Sequence, residues 1–535
     1  PAVCMATSGP GAMNLLTSIA DARCDSIPLV AFTGQVNTNL IGTDAFQEAD
    51  TFGLSFPITK HSMMVKTPEE LIRAVPLAFA IAESGRPGPV LIDVPRNVQA
   101  ALAEVPDDFD SCFKKIYDEY KNSQSSIKFK TIETQLPAVI ENFCVHLLGA
   151  KKAVLYLGGG ANSPESAAEI RQFLVQYKIP VVSSLMGIGV VPTDGGLFMG
   201  MVGMHGSYAA NRAMYDADLV LAAGVRFDDR ATGVVEKFCP NAEILHIDID
   251  AAEINKILPS DAHIVGDCAS SFKKLNAELN KLSGELSKNE AARGMWLSEC
   301  AKIKQEEEVS LEMNCKASDC CGNKTCGVKG GAVYRNPREF IVNLPKAAAE
   351  CGVGEDDIIV TTDVGQHQMF AAQYYPVEEP RTFLTSGSLG TMGFGLPAAL
   401  GAAIANPDKR IVCFSGDGSI MMNIQELATL AENNLPVTVI VFENGTLGMV
   451  YQQQKFLFDR TYSASEFMAS PDLLKIAEGF GIEAIDADSD PDWHKKAFSP
   501  DRKRKPCFVK VRVDPEENVL PFVPGGKANI DSIRD

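Results

Sequence analysis

Short apolar runs, most ending in a Gly or an acidic residue, recur along this chain with stretches of helical periodicity between them. The spacing predicts strands at Leu29–Thr33, Val90–Val94, Val154–Leu157, Leu219–Ala223, Ile244–Ile249, Ile358–Thr362, Ile411–Ser415, Val437–Phe442 and Cys507–Val513. Strands separated by helices cannot pair as hairpins. Each crossover brings the chain back in the same direction, which gives parallel sheets with helices on both faces. The expected fold class is therefore α/β, with three doubly wound parallel-sheet domains. Such folds bind ligands beyond the carboxyl ends of their strands.

Two polar stretches interrupt the alternation. Residues 105–135 are charged and read as an exposed linker, and residues 291–335 pass from an acidic helix into a Cys-rich insertion. The expected domains are then 1–104, 136–290 and 336–525, with a tail at 526–535. The 535 residues, 46% hydrophobic and 22% charged, suffice for about three ordinary cores. The run Pro1-Ala-Val-Cys-Met-Ala-Thr7 reads as a buried strand already under way, so the sequence is expected to begin inside a domain and its localisation signals cannot be read.

A net charge of −19 repels phosphate backbones and argues against general nucleic-acid binding. No apolar run reaches the roughly 18 residues of a membrane span. Of the 14 Cys, Cys4, Cys24, Cys239 and Cys413 stand alone in apolar segments, as reduced, buried thiols do. Cys315, Cys320, Cys321 and Cys326 cluster instead as C-x4-C-C-x4-C. Four thiolates in one loop can hold Zn²⁺, but the C-x2-C pairs of common zinc ribbons are missing. The alternative is a solvent-exposed insertion with oxidisable thiols.

The strongest chemical signal is Ile411-Val-Cys-Phe-Ser-Gly-Asp-Gly-Ser419, an apolar strand running into Gly416-Asp417-Gly418. A second strand ends at Phe442-Glu-Asn-Gly-Thr446. Neighbouring strand ends can present a carboxylate, an amide oxygen and a main-chain carbonyl at one place. Hard oxygen donors of this kind suit Mg²⁺ beside a diphosphate. The glycines admit the phosphates to the backbone, and the following helix offers free N–H groups. The competing explanation is two ordinary Gly turns in a doubly wound sheet.

Around this pair stand Thr361-Thr-Asp-Val-Gly-Gln-His-Gln-Met369 and Leu389-Gly-Thr-Met-Gly-Phe-Gly-Leu-Pro397. Upstream are Ala6-Thr-Ser-Gly-Pro-Gly11, Gly34-Gln-Val36, Gly42-Thr-Asp-Ala-Phe-Gln-Glu48, Gly85-Arg-Pro-Gly-Pro89 and Gly224-Val-Arg-Phe-Asp-Asp-Arg230. Together these strings resemble the thiamine-diphosphate (ThDP) enzymes, and among them the acetolactate synthase (acetohydroxyacid synthase) catalytic subunits. The resemblance covers the chain apart from the Cys insertion. It implies a pyrimidine-binding domain, a central FAD-binding domain and a diphosphate-binding domain. The implied reaction decarboxylates pyruvate on ThDP and adds the resulting carbanion/enamine to pyruvate or 2-oxobutyrate, the first common step of branched-chain amino-acid synthesis. The implied cofactors are ThDP, Mg²⁺ and a structural FAD. A homodimer or homotetramer is implied, with a small regulatory subunit common, in the cytoplasm of a bacterium or the plastid of an alga or plant.

The resemblance also assigns residues. Asp417, Asn444 and the Thr446 carbonyl match the Mg²⁺ ligands. Gly365, Gln366, His367, Gly418, Ser419, Leu447, Gly448 and Met449 match the diphosphate cradle. Met392 matches the apolar wedge that holds ThDP bent. Phe46 and Gln47 match residues lining the site from a partner subunit, and Arg230 the guanidinium gripping the second keto acid, a task for a planar two-pronged donor. A plain ion pair with Asp228 or Asp229 is the alternative for Arg230. FAD contacts are matched by Arg86, Gly158, Gly159, Gly160, Ser184, Leu185, Met186, Gly203, Met204, His205, Arg226, Asp248, Glu253, Gly266 and Asp267.

Four departures from the family pattern stand out. The family's activating Glu precedes the Ala6-Thr-Ser-Gly motif and lies outside this sequence, so this chain alone is expected to be nearly inactive and a chain extended upstream to make acetolactate. Gln453 occupies a position where many members carry a Trp that favours 2-oxobutyrate as acceptor. Ser388 replaces a Gly near the flavin, and Glu443 replaces an Asn beside the metal ligand. A pyruvate oxidase and a silent ThDP-binding scaffold are the competing functions.

Overall fold

A computed structural model describes residues 1–317, 326–329, 332–500 and 505–534, with side chains described outside 124–135, 283 and 310–333. The chain separates into two compact units, 1–137 with 386–391, and 138–385 with 392–535.

The first unit holds β1 (Ala2–Ala6), β2 (Leu29–Gln35), β3 (His61–Met64) and β4 (Pro89–Pro95), all parallel, in the order β1-β2-β4-β3. Side chains alternate across a strand, and both faces are covered. Val30, Val90 and Ile92 pack with Ala78 and Ile81 of the helix Pro68–Glu83. Ala31 and Leu91 pack with Ile19 of the helix Pro10–Cys24. The expected buried first strand forms, but as an edge: Val3 and Met5 of β1 are 47% and 73% exposed. The segment Ser386–Thr391 is part of this unit. Ser386 and Thr391 hydroxyls donate to Asp21 Oδ1 (2.5 and 2.7 Å), and the Gly387 and Ser388 N–H groups donate to Asp25 (both 2.9 Å).

The second unit contains two more parallel sheets. One comprises β5 (Ala153–Leu157), β6 (Val181–Ser183), β7 (Phe198–Met201), β8 (Leu219–Ala223), β9 (Glu243–Asp248) and β10 (Ala262–Val265), in the order β10-β9-β8-β5-β6-β7. Its strand order reverses beside β5, the usual position of a ligand crevice. An antiparallel hairpin, β11 (Cys326–Lys329) with β12 (Ala332–Tyr334), follows. The last sheet comprises β13 (Ile358–Thr362), β14 (Phe383–Leu384), β15 (Arg410–Gly416), β16 (Val437–Glu443), β17 (Glu483–Asp486) and β18 (Cys507–Arg512), in the order β14-β13-β15-β16-β18-β17. Val412, Phe414, Ile440 and Val509 lie on one face with Phe340 and Leu344 of the helix Pro337–Ala349. Ile411, Cys413, Val439 and Phe508 lie on the other with Leu396 and Ala399 of the helix Gly395–Ala405. The α/β class with three doubly wound parallel sheets is thus the observed architecture.

The expected linker is helical from Phe109 onward, as part of Phe109–Gly149. Cys4 and Cys24 are half-buried rather than buried, whereas Cys239 and Cys413 are enclosed. Of the Cys cluster, Cys320 and Cys321 lie outside the described residues, and Cys315 and Cys326 are described in backbone alone. Among the described residues, no helix is long and apolar enough to cross a membrane.

Candidate active site

β15 and β16 are neighbours in register, with Gly416 opposite Phe442, so their carboxyl ends open side by side. Asp417 follows the first and Asn444 the second. The Asp417 carboxylate ties the two ends together: Gly418 N–H donates to Oδ1 (2.9 Å), and Asn444 and Gly445 N–H donate to Oδ2 (3.0 and 2.7 Å). Burial pushes this carboxyl up to about 6 against those three donors, and the charge of Glu443 adds to the rise. A cation seated there would relieve the penalty. Asn444 Oδ1 accepts from the Thr446 N–H and hydroxyl (both 3.0 Å), and its Nδ2 donates to Gln366 Oε1 (3.3 Å). Asp417, Asn444 and Thr446 thus come together as an all-oxygen set of the kind hard cations take. Glu443 is turned to Lys510 (3.7 Å) and Arg512 (3.9 Å).

The surrounding cradle is closely fitted. A Cβ on Gly448 would fall 2.2 Å from Gln366 Oε1, and one on Gly418 would fall 2.7 Å from Leu447 Cδ2. Ser419 Oγ accepts the Gly416 N–H at 3.2 Å. Gln366 and His367 open the helix that follows Gly365. His367 is buried, its Nε2 has no partner, and burial holds its pKa down to about 3. The ring bonds the Asp363 backbone, so Nε2 is the nitrogen left open, and in the neutral ring it is an acceptor that a ligand N–H or O–H would satisfy. Met449 packs at the edge of the core. Met392 is half-buried and precedes Gly393, whose φ of +93° suits glycine. Gly393 N–H donates to Asp363 Oδ1 and its carbonyl accepts from Asn423 Nδ2 (both 2.8 Å), which fixes the turn carrying Met392. Gln453 is half-buried on the helix Gly448–Leu457.

Apart from Arg86, which lies in the first unit, the predicted flavin contacts sit at the carboxyl ends of β5, β6, β7, β8, β9 and β10, but the Gly triplet has another reason to be there. Cβ atoms on Gly158 and Gly160 would fall 2.1 Å and 2.8 Å from the backbone of Gly224, so these glycines serve packing between strand ends. Gly159 faces Met186, and Gly203 lies against the Arg230 carbonyl. Ser184, Leu185 and Met186 form the turn after β6. His205 is buried, stacked on Phe522 at 5.5 Å, and held down to about 4 by burial and the nearby Arg230 charge. Its Nδ1 lacks a partner, as does the Ser183 hydroxyl at the end of β6, two buried polar atoms that a polar ligand could satisfy. Arg226 is half-buried. Asp248 accepts the Asp250 N–H, and the Gly266 N–H donates to the Asp248 carbonyl. Glu253 is paired with Lys256 at 3.1 Å, and Asp267 caps the helix Cys268–Lys281. Arg230 is exposed, with Asp229 at 3.8 Å and Met204 Sδ at 3.8 Å.

In the first unit, Phe46 is 88% exposed at the crown of a loop. Gln47 has a φ of +60° and packs against Gly9, where a Cβ would fall 2.8 Å from the Gln47 carbonyl. Glu48 closes the loop from inside, accepting the Gly42 and Ala45 N–H groups, and these bonds lower its pKa. Arg86 Nε donates to the Ser26 hydroxyl at 2.8 Å. Sequence reasoning missed the work of Glu48, of Asp363 and of Gln452, a wholly buried amide on the helix that carries Gln453.

Three models of one enzyme class match the chain. They are described as the N-terminal TPP binding domain (residues 1–54), the central domain (140–275) and the C-terminal TPP binding domain (363–511) of thiamine pyrophosphate enzymes. The chain is 42% identical to the acetolactate synthase isozyme 1 large subunit of Escherichia coli (strain K12), over 100% of this chain and 86% of the relative. It is 40% identical to the isozyme 2 large subunit of the same organism, over 99% of this chain and 87% of the relative. It is 38% identical to the acetolactate synthase large subunit of Cyanidium caldarium, over 98% and 84%. With the oxygen donors of Asp417 and Asn444 set on adjacent strand ends and this likeness running the length of the chain, the protein belongs to the acetolactate synthase large-subunit family of thiamine pyrophosphate enzymes.

Proposed function

We propose that this chain makes acetolactate: one pyruvate loses CO₂, and the two-carbon remainder joins a second pyruvate, or 2-oxobutyrate. ThDP, when bound, supplies the electron sink for that decarboxylation. The observation that carries the proposal is the joining of two strand ends by Asp417, with Asn444 and Thr446 completing an oxygen set. These three residues hold Mg²⁺. Gly365, Gln366, His367, Gly418, Ser419, Leu447, Gly448 and Met449 hold the diphosphate, and Met392 is the apolar wedge under the bent cofactor.

Arg230, exposed and only loosely paired, binds the carboxylate of the second keto acid. Gln453 lines the acceptor pocket. Phe46 and Gln47 close the site from the loop Gly42–Glu48 of another copy, which makes a homodimer the smallest working assembly. The orphaned Ser183 and His205 atoms support a structural FAD beside Ser184, Leu185, Met186, Gly203, Met204, Arg226, Asp248 and Glu253. A small regulatory subunit is the expected partner.

The test is incubation of the chain, extended upstream to carry the activating Glu, with pyruvate, Mg²⁺ and ThDP. Acetolactate should form without oxygen uptake, and Asp417→Asn should abolish it. Oxygen consumption in place of acetolactate would mark an oxidase, and full activity in Asp417→Asn would remove the cation assignment.

A further inference from the structure

Gln452 is 0% exposed and uses its amide like a neighbouring strand. Its Oε1 accepts the Val519 N–H (2.8 Å), and its Nε2 donates to the Val519 carbonyl (3.0 Å). The same Oε1 accepts from Gln366 Nε2 (2.9 Å), which also donates to the Glu517 carbonyl (3.0 Å). Gln366 Oε1 in turn accepts from Asn444 Nδ2 (3.3 Å). Gly448 keeps the last step open, since a Cβ there would fall 2.6 Å from Asn444 Nδ2. The segment at the far end is pinned separately: Tyr451 OH donates to Glu516 (2.8 Å), and Arg338 Nη2 donates to the Asn518 carbonyl (3.2 Å).

The polarity of this chain of amides matters more than its strength. A side-chain amide can flip by half a turn at little cost to shape, exchanging a donor for an acceptor. A backbone N–H and C=O cannot exchange. Val519 therefore fixes the orientation of Gln452. Gln452 Oε1, with the Glu517 carbonyl, fixes Gln366. Gln366 Oε1 then takes the NH₂ of Asn444 while the Thr446 N–H takes its oxygen, so the amide is oriented from both ends. With its NH₂ held by Gln366, Asn444 keeps its oxygen on the side of Thr446. A flipped Asn444 would present an NH₂ to the cation and could not ligate it.

We propose that Gln452 is a positioning residue that transmits the fixed polarity of the Val519 backbone through Gln366 to Asn444, so that Oδ1 faces the cation. The proposal rests on Asp417, Asn444 and Thr446 being the cation ligands. It extends the cofactor anchor to residues 516–519, distant in sequence from both strand ends.

The experiment titrates the full chain with Mn²⁺ in the presence of ThDP and follows bound cation by electron paramagnetic resonance. Gln452→Leu should weaken cation binding at least tenfold and speed amide exchange at Val519. Gln452→Glu keeps both acceptor roles of Oε1 and, held protonated by burial, donates its O–H to the Val519 carbonyl, so it should stay within about threefold of wild type. Tyr451→Phe, which loosens the same segment outside the relay, should leave affinity unchanged. Gln452→Met substitutes if the Leu variant does not fold. Wild-type affinity in Gln452→Leu or Gln452→Met, with Val519 exchange raised, would overturn the relay, as would equal losses in Gln452→Glu and Gln452→Leu. Asp417→Asn separates the two claims. Loss of Mn²⁺ there with none in Gln452→Leu defeats the relay alone, whereas unchanged binding in Asp417→Asn defeats the ligand set and the relay with it.

Discussion

Gln453 stands one turn beyond Met449 on a helix that starts at the diphosphate cradle. A Trp at this position would give the acceptor pocket an aromatic wall, and the extra methylene of 2-oxobutyrate in such a pocket is worth about 1–3 kcal/mol. With Gln there, pyruvate and 2-oxobutyrate should be nearly equal acceptors, and Gln453→Trp should shift the product ratio toward 2-aceto-2-hydroxybutyrate by roughly tenfold. Competition between the two acids, with both products quantified, checks this. A strong wild-type preference for 2-oxobutyrate that the substitution leaves alone would show that Gln453 does not select. The residues of the cation site were legible in the sequence because Gly-Asp-Gly after an apolar strand is chemically unusual. Gln452 was not. It is one of three consecutive Gln, and only the phase of the helix against the core decides which of them is buried.

The loop Gly42–Glu48 is an element held by its own carboxylate. Glu48 gathers the Gly42 and Ala45 N–H groups, which leaves Phe46 and Gln47 at the crown, with Gln47 in a left-handed conformation. Glu48→Ala should release the crown while sparing the sheet below. We expect kcat to fall about tenfold with the melting temperature nearly unchanged, and Glu48→Gln to recover part of the loss because it keeps one acceptor oxygen. Comparable kcat for wild type and Glu48→Ala would show that the crown holds itself. Among the strands, central ones such as β8 and β13 were predicted residue for residue, since burial on both faces writes a continuous apolar run. β3, β6, β7, β10, β14 and β17 were missed. They are two to four residues long, and their neighbours rather than their own composition decide that they pair. β1 was found, but an edge and a centre read alike in an apolar run.

At the scale of the whole molecule, the first unit carries a buried acid at its centre. Asp93 accepts from the Thr33 hydroxyl (2.7 Å) and Gln35 Nε2 (3.1 Å), and burial still pushes it from 3.8 up to about 6. A raised carboxyl favours the fold while protonated. Its contribution is therefore complete below the unfolded value and is lost as pH rises through about 6. The linkage is worth roughly 3 kcal/mol. Urea unfolding should show wild type losing roughly 2–3 kcal/mol relative to Asp93→Asn between pH 4 and pH 7. A flat difference over that range would mean that Asp93 ionises without cost.

The strap Ser386–Thr391, bonded to Asp21 and Asp25, bears on the order in which the protein is made. A ribosome releases the strands and helices of the first unit early, yet the residues that satisfy Asp21 and Asp25 emerge only after the whole middle sheet and the first two strands of the last have been translated. At roughly 5–20 residues per second, the nascent unit waits for tens of seconds with those carboxylates unsatisfied. Completion of the first unit is thus a late step of synthesis, and chaperones that shelter an unfinished unit have that interval in which to act.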